Sequence, residues 1–148
     1  MASTMLDGEE FGRWMEAARR TLASARGDTA RGDHNWACFK AQQAAELAVK
    51  AFLRGIGSPA MGHSVSRLLV EVGAAGVQVP GEVLDCGRLL DKLYIPTRYP
   101  DAWSEGAPHH YYSAKDAEDS IRCSEKILGW VAEVWRRLSG LAESRDEE

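Results

Sequence analysis

The side chains best suited to chemistry gather in one stretch, Tyr94-Ile95-Pro96-Thr97-Arg98-Tyr99-Pro100-Asp101-Ala102-Trp103-Ser104-Glu105-Gly106-Ala107-Pro108-His109-His110-Tyr111-Tyr112. These nineteen residues hold all four tyrosines of the chain, a tryptophan, three prolines, Arg98 and adjacent histidines. An arginine fork can grip two phosphate oxygens and stabilise charge that develops on phosphorus. The alternative for Arg98 is a salt bridge to Asp101 or Asp91, or a clamp on backbone carbonyls. His109 or His110 can supply a general base for a ribose 2′-OH, since imidazole titrates near neutrality. The alternative is two exposed histidines ahead of a helix. Tyr94, Tyr99, Tyr111 and Tyr112 can stack on bases or plug the top of a bundle. Ile95 and Tyr99 precede prolines, which pushes them toward extended backbone and stiffens the segment around Arg98.

Outside this stretch, Gln42, Gln43 and Glu46 sit together on one helical segment, with Gln43 and Glu46 three positions apart. They can line a ligand groove or hold the Arg98 segment in place. The candidate ligand-binding set is therefore Arg98, Tyr94, Tyr99, Asp101, Gln43 and Glu46. His63 is expected to order the start of a helix, and His34 to lie on the surface. No HxxxH, HExxH or suitably spaced carboxylate pair occurs, so neither a metal nor a cofactor is expected. Cys38, Cys86 and Cys123 form no CxxC pair and read as reduced, buried thiols.

The elements that must position these groups are helical. Phe11, Trp14, Met15, Ala18, Leu22 and Ala25 recur at three- and four-residue steps and predict a helix from about Asp7 to Ala25, broken by Gly27, Asp28, Gly32 and Asp33. Arg19, Arg20 and Arg26 fall on its solvent side. A second helix, about Asp33 to Arg54 with Asp33 as its N-cap, carries Ala37, Ala41, Ala44, Ala48 and Ala51 along one stripe, where a neighbouring helix can approach closely. Val65, Leu68, Leu69 and Val72 predict a short third helix from His63 to Ala75, and Pro80 opens a fourth. Ser113 with Asp116 resembles a capping box and starts the fifth. There Ala117, Ile121, Ser124, Leu128, Val131, Trp135 and Leu138 form a heptad-like stripe, expected to serve as an intersubunit seam. Trp14, Trp130 and Trp135 read as core or dimer interface. The fold class is all-α, an antiparallel up-and-down bundle of four to five helices without a sheet. The bundle domain spans 8–138, and the polar tail 139–148 is expected to fray.

Composition agrees with one globular domain. The 148 residues are 45% hydrophobic and 27% charged, with a net charge of -4. That charge excludes general polyanion binding, so any nucleic-acid contact must be local. No apolar run is long enough to cross a membrane. The stretch Met1 to Glu10 lacks a basic-then-apolar signal pattern, so a cytoplasmic location is expected.

Ala41-Gln42-Gln43-Ala44-Ala45-Glu46-Leu47-Ala48-Val49-Lys50-Ala51-Phe52-Leu53, then Gly62-His63-Ser64 with Leu68-Leu69, then Leu89-Leu90-Asp91 and the Tyr94 to Asp101 stretch, resemble the HEPN domain family over about residues 8–138. The resemblance implies a helical bundle that forms homodimers. It implies partnership with a minimal nucleotidyltransferase, as toxin and antitoxin, and binding of nucleotide or RNA; the alternatives are a metal-independent endoribonuclease using Arg98 with His109 or His110, and a dimeric scaffold without catalysis. Many members are metal-independent endoribonucleases with an arginine, four to six residues and a histidine. Arg98 matches that arginine. The corresponding positions here are Trp103, Ser104 and Glu105, whereas His109 and His110 follow ten and eleven intervening residues. In some relatives a tyrosine beside the motif histidine accepts a nucleotide, a position that Tyr111 and Tyr112 approximate.

Overall fold

The computed structural model describes residues 5–147, with side chains through Leu141; residues 1–4 of the stretch read for a signal lie outside it. Five helices follow one another: α1 Gly8–Ala30, α2 His34–Gly55, α3 Val65–Ala74, α4 Gly81–Asp91 and α5 Ala114–Glu147, with no strand among the described residues. The tail expected to fray falls mostly outside the described side chains; the α5 backbone runs to Glu147.

The second helix is the axis of the bundle, since α1, α3, α4 and α5 all pack on it. Its stripe explains why. Ala37, Ala41, Ala44, Ala48 and Ala51 are fully buried, and their small side chains admit neighbours from several directions. The pairings fix the helix directions. The Asp7 N–H donates to the Gly55 carbonyl at 2.8 Å, and Lys40 Nζ lies 2.9 Å from Asp28 Oδ2, so α1 and α2 are antiparallel. Phe11 stacks on Trp135 with centroids 4.3 Å apart while Arg26 pairs with Glu125, so α5 opposes α1. A Cβ at Gly55 would stand 2.5 Å from the Trp135 ring, so that crossing needs glycine.

Three expectations about the helices require correction. The first helix continues through Gly27 and Asp28 to Ala30, because the buried Asp28 carboxylate is charge-paired with Arg31 and Lys40, and Gly32, at φ 86°, ends the turn instead. Asp33 occupies the N-cap of α2 without a side-chain cap bond; its carboxylate lies 3.6 Å from Arg31 Nε. The α5 stripe is consumed inside its own chain, where Ala117, Ile121, Ser124, Leu128 and Val131 are buried and Trp135 packs on Phe11 and Phe52. It therefore leaves no open seam for a second subunit. The Ser113–Asp116 capping box is present, with the Asp116 N–H on Ser113 Oγ at 3.2 Å and the Ser113 N–H on Asp116 Oδ2 at 2.9 Å.

The cysteines divide. Cys86 of α4 and Cys123 of α5 form a disulfide, with Cα atoms 5.1 Å apart, in place of two reduced thiols. Their separation of 37 residues carries no pairing pattern; only the antiparallel packing of α4 on α5 brings them together. Cys38 is free and fully buried, as expected, and accepts a hydrogen bond from Ser120 Oγ at 3.4 Å.

Burial pushes the Cys38 thiol up to about 11, against the lowering effect of Ser120, with Asp116 adding to the rise. The folded chain thus holds this proton more tightly than the unfolded chain. The associated stability is complete below about pH 9 and is lost as pH rises toward 11. We expect denaturant titrations to show a decline of about 2–3 kcal/mol across that window, largely absent in Cys38→Ala.

Candidate functional site

The connector between α4 and α5 is ordered by contacts rather than by a long regular element. It contains two single 3₁₀ turns, Pro100–Ala102 and Pro108–His110, each opened by a proline. Asn35, buried in the first turn of α2, donates from Nδ2 to the Thr97 carbonyl at 3.0 Å. Thr97, fully buried, donates from Oγ1 to the Leu93 carbonyl at 2.7 Å. These two bonds fasten the residue next to Arg98 against the bundle.

Arg98 is half-buried and folds back on its own chain. Its Nε and Nη2 both donate to the Tyr94 carbonyl, at 3.1 and 2.6 Å, and Nη1 reaches Tyr99 Oη at 3.4 Å. Three rings surround the guanidinium carbon, with Phe39 at 4.1 Å and Tyr94 and Tyr99 at 4.9 Å each. Such faces attract a cation through their quadrupoles without removing its charge. The carbonyl clamp weighed from sequence is therefore present. The salt bridges weighed beside it are not, because no carboxylate pairs with Arg98 among the described residues. Asp101 is exposed and unpaired among them. Asp91 is engaged elsewhere, accepting from the Val65 N–H and from the hydroxyls of Ser64 and Ser66, so the end of α4 caps the start of α3. Ser64 is the N-cap of α3, and His63, expected to order the start of that helix, stands immediately before it with its carbonyl held by Gln42.

The polar cluster on α2 reaches the same place from below. Glu46 is buried, and its carboxylate accepts from Lys50 Nζ at 3.0 Å, Gln42 Nε2 at 3.2 Å, Gln43 Nε2 at 3.3 Å and His63 Nδ1 at 3.2 Å. An ionised carboxylate can only accept, so in a neutral ring the proton sits on Nδ1 and Nε2 is the acceptor. The His63 ring is exposed and lies on Tyr94, with centroids 4.6 Å apart and planes inclined by 16°. One unbroken series of contacts thus runs from Lys50 through Glu46, His63 and Tyr94 to Arg98. Glu46 supports the connector through His63, and Gln43 braces Glu46.

The far half of the connector forms a separate aromatic knot. Trp103 stacks on Tyr111 at 3.9 Å, meets Tyr112 edge-on, and donates from Nε1 to the Pro96 carbonyl at 2.9 Å. Burial pushes the Tyr112 phenol up to about 12, with Cys38 and Asp116 adding to the rise. His109 and His110 are exposed neighbours, and His110 Nδ1 accepts from the Ala107 N–H at 3.1 Å. No hydrogen bond or ring contact joins either histidine to Arg98 among the described residues. Nor do three His, Cys, Asp or Glu side chains converge as metal ligands among them.

Beside Arg98, an open groove of about 480 Å³ lies between α1 and α2, lined by Arg20, Thr21, Ser24, Phe39, Lys40, Gln43 and Leu47. Phe39 belongs both to this groove and to the ring cage of Arg98. Sequence reasoning missed Asn35, Phe39 and Arg20 as parts of the site. Asn35 carried no spacing signal, whereas Phe39 is a bulky residue two positions after Ala37 of the alanine stripe.

An all-helical bundle whose arginine is displayed on a stiffened connector defines the class. The family model described as HEPN domain matches residues 11–135, and the chain belongs to the HEPN family. A crystal structure from Thermus thermophilus is 42% identical, covers 83% of this chain and 96% of its own, and superposes with a TM-score of 0.81. An archaeal HEPN homologue is 41% identical with a TM-score of 0.71, covering 83% of this chain and 95% of its own. A HEPN domain protein from Thermotoga maritima is 36% identical with a TM-score of 0.68, covering 84% and 98%. No curated protein matches at a significant level. No described helix is long and apolar enough to cross a membrane.

Removing the Asn35 amide leaves the buried Thr97 carbonyl without its partner. Asn35→Ala is expected to lower stability by about 1–3 kcal/mol in urea denaturation, with loss of protection at the connector amides measured by hydrogen exchange.

Proposed function

We propose that this chain is the HEPN partner of a minimal nucleotidyltransferase, that it acts as a homodimer, and that it binds nucleotide or RNA through the Arg98 connector. One observation carries the binding reading: a half-buried guanidinium, oriented by its own backbone and three rings, that no described carboxylate neutralises. A phosphate is the natural counter-charge for such a fork. The neighbouring groove supports the same reading, since Arg20 and Lys40 add cationic groups around the Phe39 ring. The Lys40 charge is shared with Asp28, which leaves Arg20 and Arg98 as the main phosphate donors. Exposed rings at Tyr99 and Trp36 offer stacking surface to a base.

The test is binding of labelled nucleotides and short single-stranded RNA to the wild type, Arg98→Ala, Arg20→Ala and, as a control, the exposed Arg67→Ala. Loss of charge-assisted hydrogen bonds is expected to weaken binding about 10–100-fold in the Arg98 variant, with a smaller loss at Arg20 and none at Arg67. Equal binding by wild type and Arg98→Ala overturns the reading. Co-purification with a co-expressed short nucleotidyltransferase tests the partnership, and sedimentation at micromolar concentration tests the dimer.

A second reading, metal-independent cleavage of RNA, is favoured by the Glu46–His63 pair. A buried carboxylate orients the imidazole and leaves Nε2 as an exposed acceptor, as a general base for a 2′-OH requires. His63 lies against the Tyr94 ring that Arg98 also touches, whereas His109 and His110 have no such link to Arg98 among the described residues. The expected result is RNA cleavage in EDTA that falls about 100-fold or more in Arg98→Ala and His63→Gln and survives in the double variant His109→Gln, His110→Gln. Absence of cleavage by the wild type ends this reading and leaves the binding reading intact.

A further inference from the structure

We propose that the Cys86–Cys123 pair is a redox-controlled fastening of the connector, so that its thiol or disulfide state regulates the Arg98 site. The regulatory half rests on the binding reading above; the control of connector mobility does not.

The argument is one of position. Cys86 lies five residues before α4 ends at Asp91, and Cys123 lies nine residues after α5 begins at Ala114. The chain between them, a sequence separation of 37, contains the whole connector, so the bond pins both of its roots together. The remaining ties of the Arg98 half to the bundle are individually weak: the Asn35 bond to Thr97, the His63 ring on Tyr94, and the Phe39 ring beneath Arg98. Movement at the end of α4 does not stop there. Asp91 caps α3 through Ser64, Val65 and Ser66, and His63, next to Ser64, carries the stack on Tyr94. Release of α4 from α5 therefore disturbs two supports of Tyr94, whose carbonyl orients Arg98.

Access decides which sulfur reacts. Cys123 is partly exposed, whereas Cys86 is 8% exposed and Cys38 is fully buried beside Ser120. A thiolate of a dithiol reductant attacks Cys123 Sγ, the S–S bond breaks, and Cys86 leaves as a thiolate and takes up a proton. The second thiol of the reductant then attacks the mixed disulfide and releases Cys123 as a thiol. The reductant departs as a disulfide, having given up two electrons and two protons. A low-molecular-weight disulfide reverses the sequence and is itself reduced to two thiols.

The experiment uses the full chain equilibrated with oxidised glutathione or with dithiothreitol. Thiol titration after denaturation is expected to give one reactive group, Cys38, in the oxidised protein and three in the reduced protein. Removing the constraint is expected to lower Tm by about 5–15 °C. It is also expected to speed amide exchange in peptides spanning 92–112 by about tenfold or more, with little change in α2. Cys123→Ser should behave like the reduced protein and stop responding to dithiothreitol. Short single-stranded RNA is expected to bind the oxidised form more tightly. Three titratable thiols after equilibration with excess oxidised glutathione, or equal connector exchange in both states, overturns the proposal. Redox-dependent exchange with equal RNA affinity in both states overturns its regulatory half. Redox-dependent exchange with no RNA binding in either state supports the fastening and overturns the binding reading instead.

Discussion

A buried or half-buried guanidinium must be oriented by something, and what orients it decides what it has left to give. At Arg98 the orienting groups are a backbone carbonyl and three aromatic faces, which hold the charge without cancelling it. Much of the surrounding architecture serves that arrangement. Thr97 is tied to α2 by Asn35, and Tyr94 is propped by a histidine that a buried glutamate holds. A carboxylate in place of any ring would have made Arg98 an ordinary structural ion pair.

The second helix does two kinds of work on two faces. Its alanines let other helices close in, which places apolar bulk from α1, α3 and α5 around a thin axis. Its polar positions, Asn35, Gln42, Gln43, Glu46 and Lys50, support the loops from beneath. Gln42 illustrates the division: it is fully buried, yet it is satisfied by Glu46 and by the His63 carbonyl at 2.9 Å. A polar group with its bonds complete costs little to bury and fixes the loop it holds.

The helices were legible in the sequence because hydrophobic spacing is a local signal. All five begin within two residues of the expected start. The end of α1 was not, since Gly27 and Asp28 look like breakers until Lys40 arrives from another helix to balance the carboxylate's charge. Arg98 and its aromatic neighbours stood out by density alone. Their geometry did not, because Glu46 and His63 are 17 positions apart and Asn35 and Thr97 are 62 apart. The disulfide was hidden for the same reason. The heptad-like stripe of α5 misled in the opposite direction: a repeat that suits a coiled-coil seam suits an internal helix equally well, and here α2, α1 and α4 fill it.

The crowding around α2 has a consequence for how such a molecule can change over evolutionary time. Enlarging any alanine on its inner face would push on more than one helix at once, so the scaffold resists drift. The span between α4 and α5 bears on α2 through only a handful of side chains. Altered residues at exposed positions such as Ser104, Glu105, His109 and His110 can accumulate there without repacking the bundle. New chemistry in this architecture therefore has one inexpensive place to appear.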